Sequence, residues 1–490
     1  MTARGGVRGA PRVALVLDNP QRDLAGLLLT AVELCQHGVD CHLVPATLRA
    51  RELWSLAPDL VLLYHFRKGF EELVGNLFGA GVRVGVLDNE GGVWPRLATY
   101  TDMLIPDAGL RERVRFFCAW GPRVADHLVA DGWFSAGQVT PTGCPRFDFY
   151  HPRWHALVGE PGGAGDEPPR ILVNTNYSEA NPRFHSVEVA VRQLCEGFGW
   201  PRELADEVVT AQRGMIDATI ALIRELARDF PHARIVLRPH PFEGIEVYRE
   251  RLGDLDGLEI NLTGPVQSQL ARAAAVIQRT STTAIETAIS GVPALVPLWF
   301  PVAAPMPIVE SVSVPCESYP AMREVLRRVL AGQDVTTDTL RGTVSAVIAD
   351  WFHRVDGDAH LRVAERVLAN MPSTREVDDR QCAALLHGLD GRRERLARRV
   401  PRLARRQLGL PPEWSFRRLR FVPPTRWLDS DQRFTATEAQ AMADRIVRQR
   451  VASGERTRPV RALPTHLHPG FTHRFPTYSV AVVAERSAAG

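Results

Sequence analysis

Through the first 150 residues, short runs of β-branched and aliphatic side chains alternate with longer stretches whose apolar positions recur one helical turn apart. Segments 13–17, 41–44, 60–63, 82–87 and 115–119 are dominated by apolar residues, as strands covered on both faces must be. Between them, 24–36 and 70–78 have helical spacing. The first stops just before Gly38 and the second just before Gly79 and Gly81, glycines suited to closing a helix. Segment 124–130 reads as a further helix. Strands alternating with helices predict βα units built into a parallel sheet.

Residues 157–169, LVGEPGGAGDEPP, are rich in Gly, Pro and acid and offer almost nothing to pack, which predicts a linker. The alternation then resumes, with strands expected at 171–175, 234–237, 259–262, 275–277 and 294–297 and helices at 205–229, 268–273 and 282–290. Two doubly wound α/β domains joined in this way would face a cleft across the carboxyl ends of their strands, where such sheets bind ligands. The expected organisation is an N-terminal Rossmann-like domain over 1–156, the linker 157–169, a second Rossmann-like domain over 170–320 and a helical return segment over 321–371. An Arg- and Pro-rich extension, 372–490, receives no fold assignment.

Composition narrows the class. A chain of 490 residues, 45% hydrophobic, exceeds the ~250–300 residues at which a single core stops growing. The seven cysteines (Cys35, Cys41, Cys118, Cys144, Cys195, Cys316 and Cys382) never form a CxxC pair. That argues against a disulfide framework or a structural zinc and predicts a reduced, cytoplasmic protein. No apolar run approaches the ~18–20 residues of a membrane span, and neither a transmembrane helix nor a signal peptide is expected. The net charge of +3 conceals an asymmetry: 391–420 carries eleven Arg against Glu394 and Glu413, so the rest of the chain is net acidic. Because Lys68 is the only lysine, arginine replaces surface lysine throughout. No nucleic-acid partner is therefore inferred from it.

Three loops carry candidate chemistry. Arg238-Pro239-His240-Pro241 follows a predicted strand, so His240 stands at a strand's carboxyl end between two prolines that restrict the backbone. There it can donate to a phosphate oxygen while Arg238 adds charge. Thr280-Ser281-Thr282-Thr283 lies between a predicted strand and helix, where hydroxyls and unsatisfied N–H groups suit an anion. Ordinary N-capping is the competing explanation. Glu286, one turn in, can reach a ribose hydroxyl or pair with Thr283 in a capping box. His240 and Ser281 are expected to converge from neighbouring strands. In the first half, Asp88-Asn89-Glu90-Gly91-Gly92 closes a predicted strand and places a carboxylate on the cleft. Glu90 is the first choice for a general base and Asp88 the second, with a solvated turn as the alternative.

Taken in order, Arg22-Asp23, Asp88 to Gly92, Cys118-Ala119-Trp120-Gly121, Thr142 to Asp148, Asn174 to Ser178, Arg238 to Pro241 and Thr280 to Glu286 resemble the motifs of bacterial surface carbohydrate (capsule and surface polysaccharide) biosynthesis proteins, a group of GT-B glycosyltransferase type. The three functional motifs are also similar to those of bacterial sialyltransferases, polysialyltransferases and Kdo transferases. In those enzymes an acid-acid-Gly motif supplies the base, a His-Pro pair binds the CMP of the donor and a Ser/Thr pair holds its phosphate. The resemblance implies these roles for Glu90-Gly91, His240-Pro241 and Ser281 with Thr282 or Thr283. Asn89 stands at the first acidic position, which leaves the base assignment to Glu90. The His-Pro and hydroxyl motifs are shared with polyol-phosphate transferases of teichoic acid synthesis.

The expectation is thus a cytoplasmic glycosyltransferase moving a sugar, such as a Kdo- or sialic-acid-like sugar from a CMP donor, onto a surface glycan or lipid-linked acceptor. The alternatives are a CDP-polyol or sugar-phosphate transferase of cell-wall polymer synthesis, and a non-catalytic GT-B-like assembly or membrane-docking protein. No cofactor and no catalytic metal are expected: Asp254 with Asp256, and the pair Asp378-Asp379, sit in polar, loop-like surroundings, and His466, His468 and His473 lack a completing ligand. The interleaving of Arg with Leu396, Val400, Leu403 and Leu408 in 391–420 is consistent with docking on an anionic membrane surface, inner face, or equally with packing on the protein body.

Overall fold

The computed structural model describes residues 10–46, 49–94, 96–157, 167–262, 264–372, 376–386, 434–465 and 478–485. Linker residues 158–166, the Arg-rich 391–420 and the three C-terminal histidines His466, His468 and His473 lie outside the described residues.

The first sheet is built on β1 (Arg12–Leu17), β2 (Asp40–Pro45), β3 (Leu60–Leu63), β4 (Arg83–Leu87), β5 (Phe116–Ala119) and β6 (Val139–Pro141). These run parallel in the order β2-β1-β3-β4-β5-β6. Their side chains divide between two cores. Ala14, Val16, Val61, Leu63, Val84 and Val86 enter one, while Val13, Leu15, Leu17, Leu60 and Leu62 enter the other. Helix Pro20–Gln36 covers the second core through Leu27, Leu28, Ala31 and Leu34. Both faces are covered, which is why these strands read as continuous apolar runs. Gly38, at φ +78°, lies just beyond that helix in the left-handed region where a Cβ is unfavourable.

The second sheet contains β7 (Arg170–Asn174), β8 (Arg234–Arg238), β9 (Leu258–Ile260), β10 (Ala273–Ile277), β11 (Ala294–Pro297) and β12 (Val314–Cys316). They are parallel, in the order β12-β11-β10-β7-β8-β9. Helix Arg202–Asp229 packs Met215, Ile216, Ile220, Ile223 and Leu226 against them. Contrary to the expectation from sequence, the strands before His240 and Ser281 are not neighbours, because β7 lies between β8 and β10. The chain winds outward from its first strand in both directions, so that strand is central, as in a Rossmann domain. The helix expected over 268–273 is instead Val266–Leu270, and Ala273 already opens β10. Alanine is found in either element, so the boundary has no local marker.

The two doubly wound domains face each other across a cleft, the GT-B arrangement. After β12 and helix Tyr319–Leu330 the chain returns to the first domain through helices Asp338–Trp351 and Ala359–Ala369. Phe352 packs on Trp120 and Phe147 there. Asp148 accepts from the backbone amides of Ala359 and His360 at 2.9 and 2.8 Å, tying down the start of the last helix.

The extension, to which the sequence pattern assigns no fold, contributes to the first domain. Helix Ala436–Ala452 packs Ala439, Ala443 and Ile446 into the core beneath helix Pro20–Gln36. β13 (Val460–Pro464) and β14 (Val480–Ala484) form an antiparallel pair, and β14 adds to the free edge of β2. The buried carboxylate of Glu52 accepts from the amide of Tyr478 at 3.1 Å and from Ser479 Oγ, anchoring the start of that strand.

Candidate active site

In each sheet the strand order reverses once, between β1 and β3 in the first and between β7 and β10 in the second. Ligands of such folds sit outside the carboxyl ends of the strands at these switch points. A cavity of about 1040 Å³ lies at the switch point of the second sheet and extends over the loops after β4, β5 and β6 of the first, lined by Glu90, Trp94, Trp120 and Arg146 from the first domain and by Glu179, Trp200, Thr282 and Glu286 from the second.

On the first-domain edge, β4 delivers three consecutive polar residues with different fates. Asp88 is fully buried. It accepts from Arg67 Nη2 at 3.3 Å, Tyr100 Oη at 2.9 Å and the amide of Glu90 at 2.8 Å, and burial raises its pKa. Asn89 is also buried, donating through Nδ2 to Asp23 Oδ2 at 2.9 Å. A second carboxylate in its place would face Asp23 without a donor, which accounts for an amide at that position. Glu90 alone reaches the cleft, its side chain about half exposed. Arg22 Nη1 donates to Glu90 Oε1. Burial acts to raise the Glu90 pKa, but Arg22, Arg146 and Arg67 together outweigh it and hold the carboxyl below its ordinary value.

The second-domain edge is organised by a residue that the sequence patterns do not single out. Glu243 is fully buried and accepts from Thr175 Oγ1, the amides of Tyr177 and His240, and Tyr248 Oη, at 2.8, 2.9, 3.0 and 2.8 Å. It thereby joins the loop after β7 to the loop after β8. Burial raises its pKa. His240 is half-buried, and its Nδ1 accepts from the amide of Phe242 at 3.3 Å, which assigns the proton of the neutral ring to Nε2. Burial lowers the His240 pKa. Glu179 and Glu90 act to raise it, and Arg22 and Arg238 to lower it, so charges on both domains reach the imidazole.

Arg238 donates from Nη2 to the carbonyl of Gly264 at 2.6 Å. Ser281 is buried and spends its hydroxyl locally: Oγ donates to Thr283 Oγ1 at 2.9 Å and accepts the Thr283 amide. Thr282 is exposed to the cavity and occupies the N-cap of helix Thr283–Ile289 without a side-chain cap bond. Glu286 accepts from Tyr150 Oη at 2.5 Å. The alternative capping box between Thr283 and Glu286 is not formed, because the N-cap is Thr282 and Thr283 is already the first helical residue.

Of the sequence candidates, Glu90, Thr282 and Glu286 line the one cavity, His240 feels Glu90 electrostatically, and Asp88 and Ser281 are turned to interior partners. Arg22 and Arg146 belong to two of the ordered motifs, yet nothing in the sequence assigns either a role. Among the described residues no three His, Cys, Asp or Glu side chains are grouped to hold a metal. Asp254 instead takes Nη1 and Nη2 of Arg224, and Asp378 accepts the amides of Arg380 and Gln381. Among the described residues no helix is long and apolar enough to cross a membrane.

No family model and no curated protein matches the sequence. Among solved structures the chain is similar to a UDP-GlcNAc 2-epimerase from Neisseria meningitidis bound to UDP-GlcNAc, at 12% identity over 73% of this chain and 100% of that one, with a TM-score of 0.44. It is also similar to the S. aureus MnaA–UDP structure, at 14% identity over 75% and 99% with a TM-score of 0.43. The wall teichoic acid polymerase TagF follows at 10% identity over 74% and 89%, with a TM-score of 0.46. Likeness this distant carries no statement about reaction or substrate.

Proposed function

We propose that this chain is a nucleotide-sugar-dependent glycosyltransferase that works without a catalytic metal on the cytoplasmic side of the membrane and extends a bacterial surface glycan. The observation that carries the reading is an interdomain cavity, beside the switch point of the second sheet, whose wall bears Glu90 from one domain and Thr282 with Glu286 from the other. Glu90 is ionised at neutral pH, and its Oε2 makes no hydrogen bond among the described residues, so it is free to take a proton from an acceptor hydroxyl. His240, neutral and protonated on Nε2, offers a donor to a departing phosphate, with Arg238 adding charge beside it. The donor is read as a CMP-activated Kdo- or sialic-acid-like sugar, and the acceptor as a glycan or lipid-linked glycan.

Thermal unfolding with CMP, CDP, UDP and GDP tests this, since a ligand bound only to the folded state raises its melting temperature. One nucleotide, expected to be CMP, should stabilise the protein. His240→Ala should fold normally and bind that nucleotide more weakly by about 1.5–3 kcal/mol, the range for a hydrogen bond to a charged group. Stabilisation by none of the four, or unchanged affinity in the variant, overturns the reading.

A further inference from the structure

Among the described arginines of the first-domain edge Arg146 alone leaves a buried terminal nitrogen unmet, Nη1, in addition to Nε, whereas Arg67 leaves only Nε without a partner. Arg22 is shared among Asp18, Asp23 and Glu90, and Arg67 donates to Asp88. The Arg146 side chain is only 11% exposed, and its buried Nε and Nη1 have no hydrogen-bond partner among the described residues. The carboxylate paired with it, Asp23, stands 3.8 Å from Nη1, beyond hydrogen-bond distance. Asp23 is also occupied: Arg22 Nε donates to Oδ1 at 3.0 Å, while Arg22 Nη2 and Asn89 Nδ2 donate to Oδ2 at 3.1 and 2.9 Å. The Arg146 guanidinium lies instead against two rings, 4.6 Å from Trp120 and 4.9 Å from Phe147, while lining the cavity that contains Glu90.

The surroundings hold it there. A Cβ on Gly26 would come within 2.7 Å of the Arg146 amide nitrogen and 2.9 Å of the Pro145 carbonyl carbon, so helix Pro20–Gln36 is pressed directly onto this backbone. The Trp120 ring is wedged against Gly92, where a Cβ would lie 2.3 Å away, and its Nε1 donates to the carbonyl of Asp88. Aromatic faces stabilise a cation but accept none of its in-plane N–H groups. A guanidinium withdrawn from water with those donors unmet is unfavourable, and an oxyanion set in the fork of Nη1 and Nη2 would give Nη1 the acceptor it lacks.

We infer that Arg146 is the cleft's receptor for an oxyanion, a carboxylate or phosphate group, carried by a substrate. The anion binding stands on the geometry alone, whereas its assignment to a sugar or an acceptor rests on the glycosyltransferase reading. Either source has the same chemistry: an acidic sugar being transferred, or an acidic or phosphorylated residue at the end of the acceptor.

The test is isothermal titration of the full chain with D-glucuronate, D-glucose 1-phosphate and neutral D-glucose, comparing wild type, Arg146→Lys and Arg146→Met. Wild type should bind at least one of the two anions more tightly than glucose. Arg146→Met should lose roughly tenfold to a hundredfold of that affinity, with Arg146→Lys between them because it keeps the charge and loses the fork. Binding of free nucleotides should be unchanged, which separates failure here from failure of the nucleotide site. If Arg146→Met proves unstable by thermal unfolding, Arg146→Lys carries the test through its weakened binding. Weaker binding of CMP-N-acetylneuraminate but not of CMP in the variant assigns the anion to the transferred sugar. Glucuronate or glucose 1-phosphate binding that persists in wild type with that donor bound, and is lost in Arg146→Met, assigns it to the acceptor. Anion affinity equal in all three proteins, or no preference of wild type for either anion over glucose, overturns the inference.

Discussion

The two edges of the cleft hold their functional side chains by different means. On the first-domain edge Glu90 is surrounded by charge, with Arg22 bonded to it and Arg146 and Arg67 near, and the outcome is a carboxyl held below its ordinary pKa. On the second-domain edge His240 is positioned by Glu243, which collects four neutral donors, and burial keeps the imidazole unprotonated. One edge thus stabilises an ionised acceptor of protons and the other a neutral donor of a hydrogen bond, both at the same pH. The contrast fits a division in which acceptor chemistry belongs to the first domain and departure of the nucleotide to the second.

The sharpest way to break that division is to remove the charge of Glu90. Glu90→Gln preserves shape, so nucleotide binding should persist while sugar transfer falls by the ~10²–10⁴-fold associated with losing a general base. Asp88→Asn is the companion change. Asp88 faces Arg67, Tyr100 and the Glu90 amide rather than the cavity, so its loss should lower stability more than turnover. Abolished transfer in the Asp88 variant with normal transfer in the Glu90 variant would reverse the assignment.

That contrast between the residues closing β4 is only half legible in the chain. The strands themselves are legible, because a parallel strand covered on both faces must be apolar along its length: 60–63 and 294–297 coincide with Leu60–Leu63 and Ala294–Pro297, and 13–17 falls one residue short of Arg12–Leu17. β6 and β12 are three residues each, too short to show a period. In the extension, Thr435 and Glu438 form a capping box before helix Ala436–Ala452, and β14 is an unbroken apolar run. Both signals are local and readable. What cannot be read is the partner of β14, the strand β2, more than four hundred residues earlier in the chain. At the site, Glu90 and His240 announce themselves through neighbouring Gly and Pro. Glu243 does not, because a glutamate is ordinarily a surface residue, and only the convergence of Thr175, Tyr177 and Tyr248 from separate elements reveals its burial.

Glu243 therefore offers the next test of the comparison, on stability rather than turnover. Its Oε1 accepts from Thr175, Tyr177 and His240, and its Oε2 only from Tyr248. Glu243→Gln can keep the first three contacts and let the Tyr248 hydroxyl accept from the new amide, so a cost of at most about 1 kcal/mol is expected. Glu243→Ala leaves four buried donors unmet and should cost about 3 kcal/mol in urea unfolding, with weaker nucleotide binding through a loosened His240 loop. Equal damage from both substitutions would mean that this edge, like the other, depends on charge, and the contrast would collapse.

The smallest effect separates the two carboxylates of the first edge by the sign of their pH dependence. Asp88 has a raised pKa: its contribution to stability is complete below the ordinary 3.8 and is lost as pH rises through the folded value. Glu90 has a lowered pKa, so its contribution is complete above the ordinary 4.5 and is lost as pH falls through the folded value. Measured by urea unfolding at a series of pH values from neutrality into the acid range, the stability difference between wild type and Asp88→Asn should narrow as pH rises. That between wild type and Glu90→Gln should widen as pH rises toward 4.5 and then level off. Because Glu90 is half exposed and its pairing with Arg22 is screened by water, its amplitude should stay below about 1 kcal/mol and shrink further in salt. Slopes of the same sign for both variants would place the two carboxylates in one electrostatic environment, and would remove the reason for giving only Glu90 the role of base.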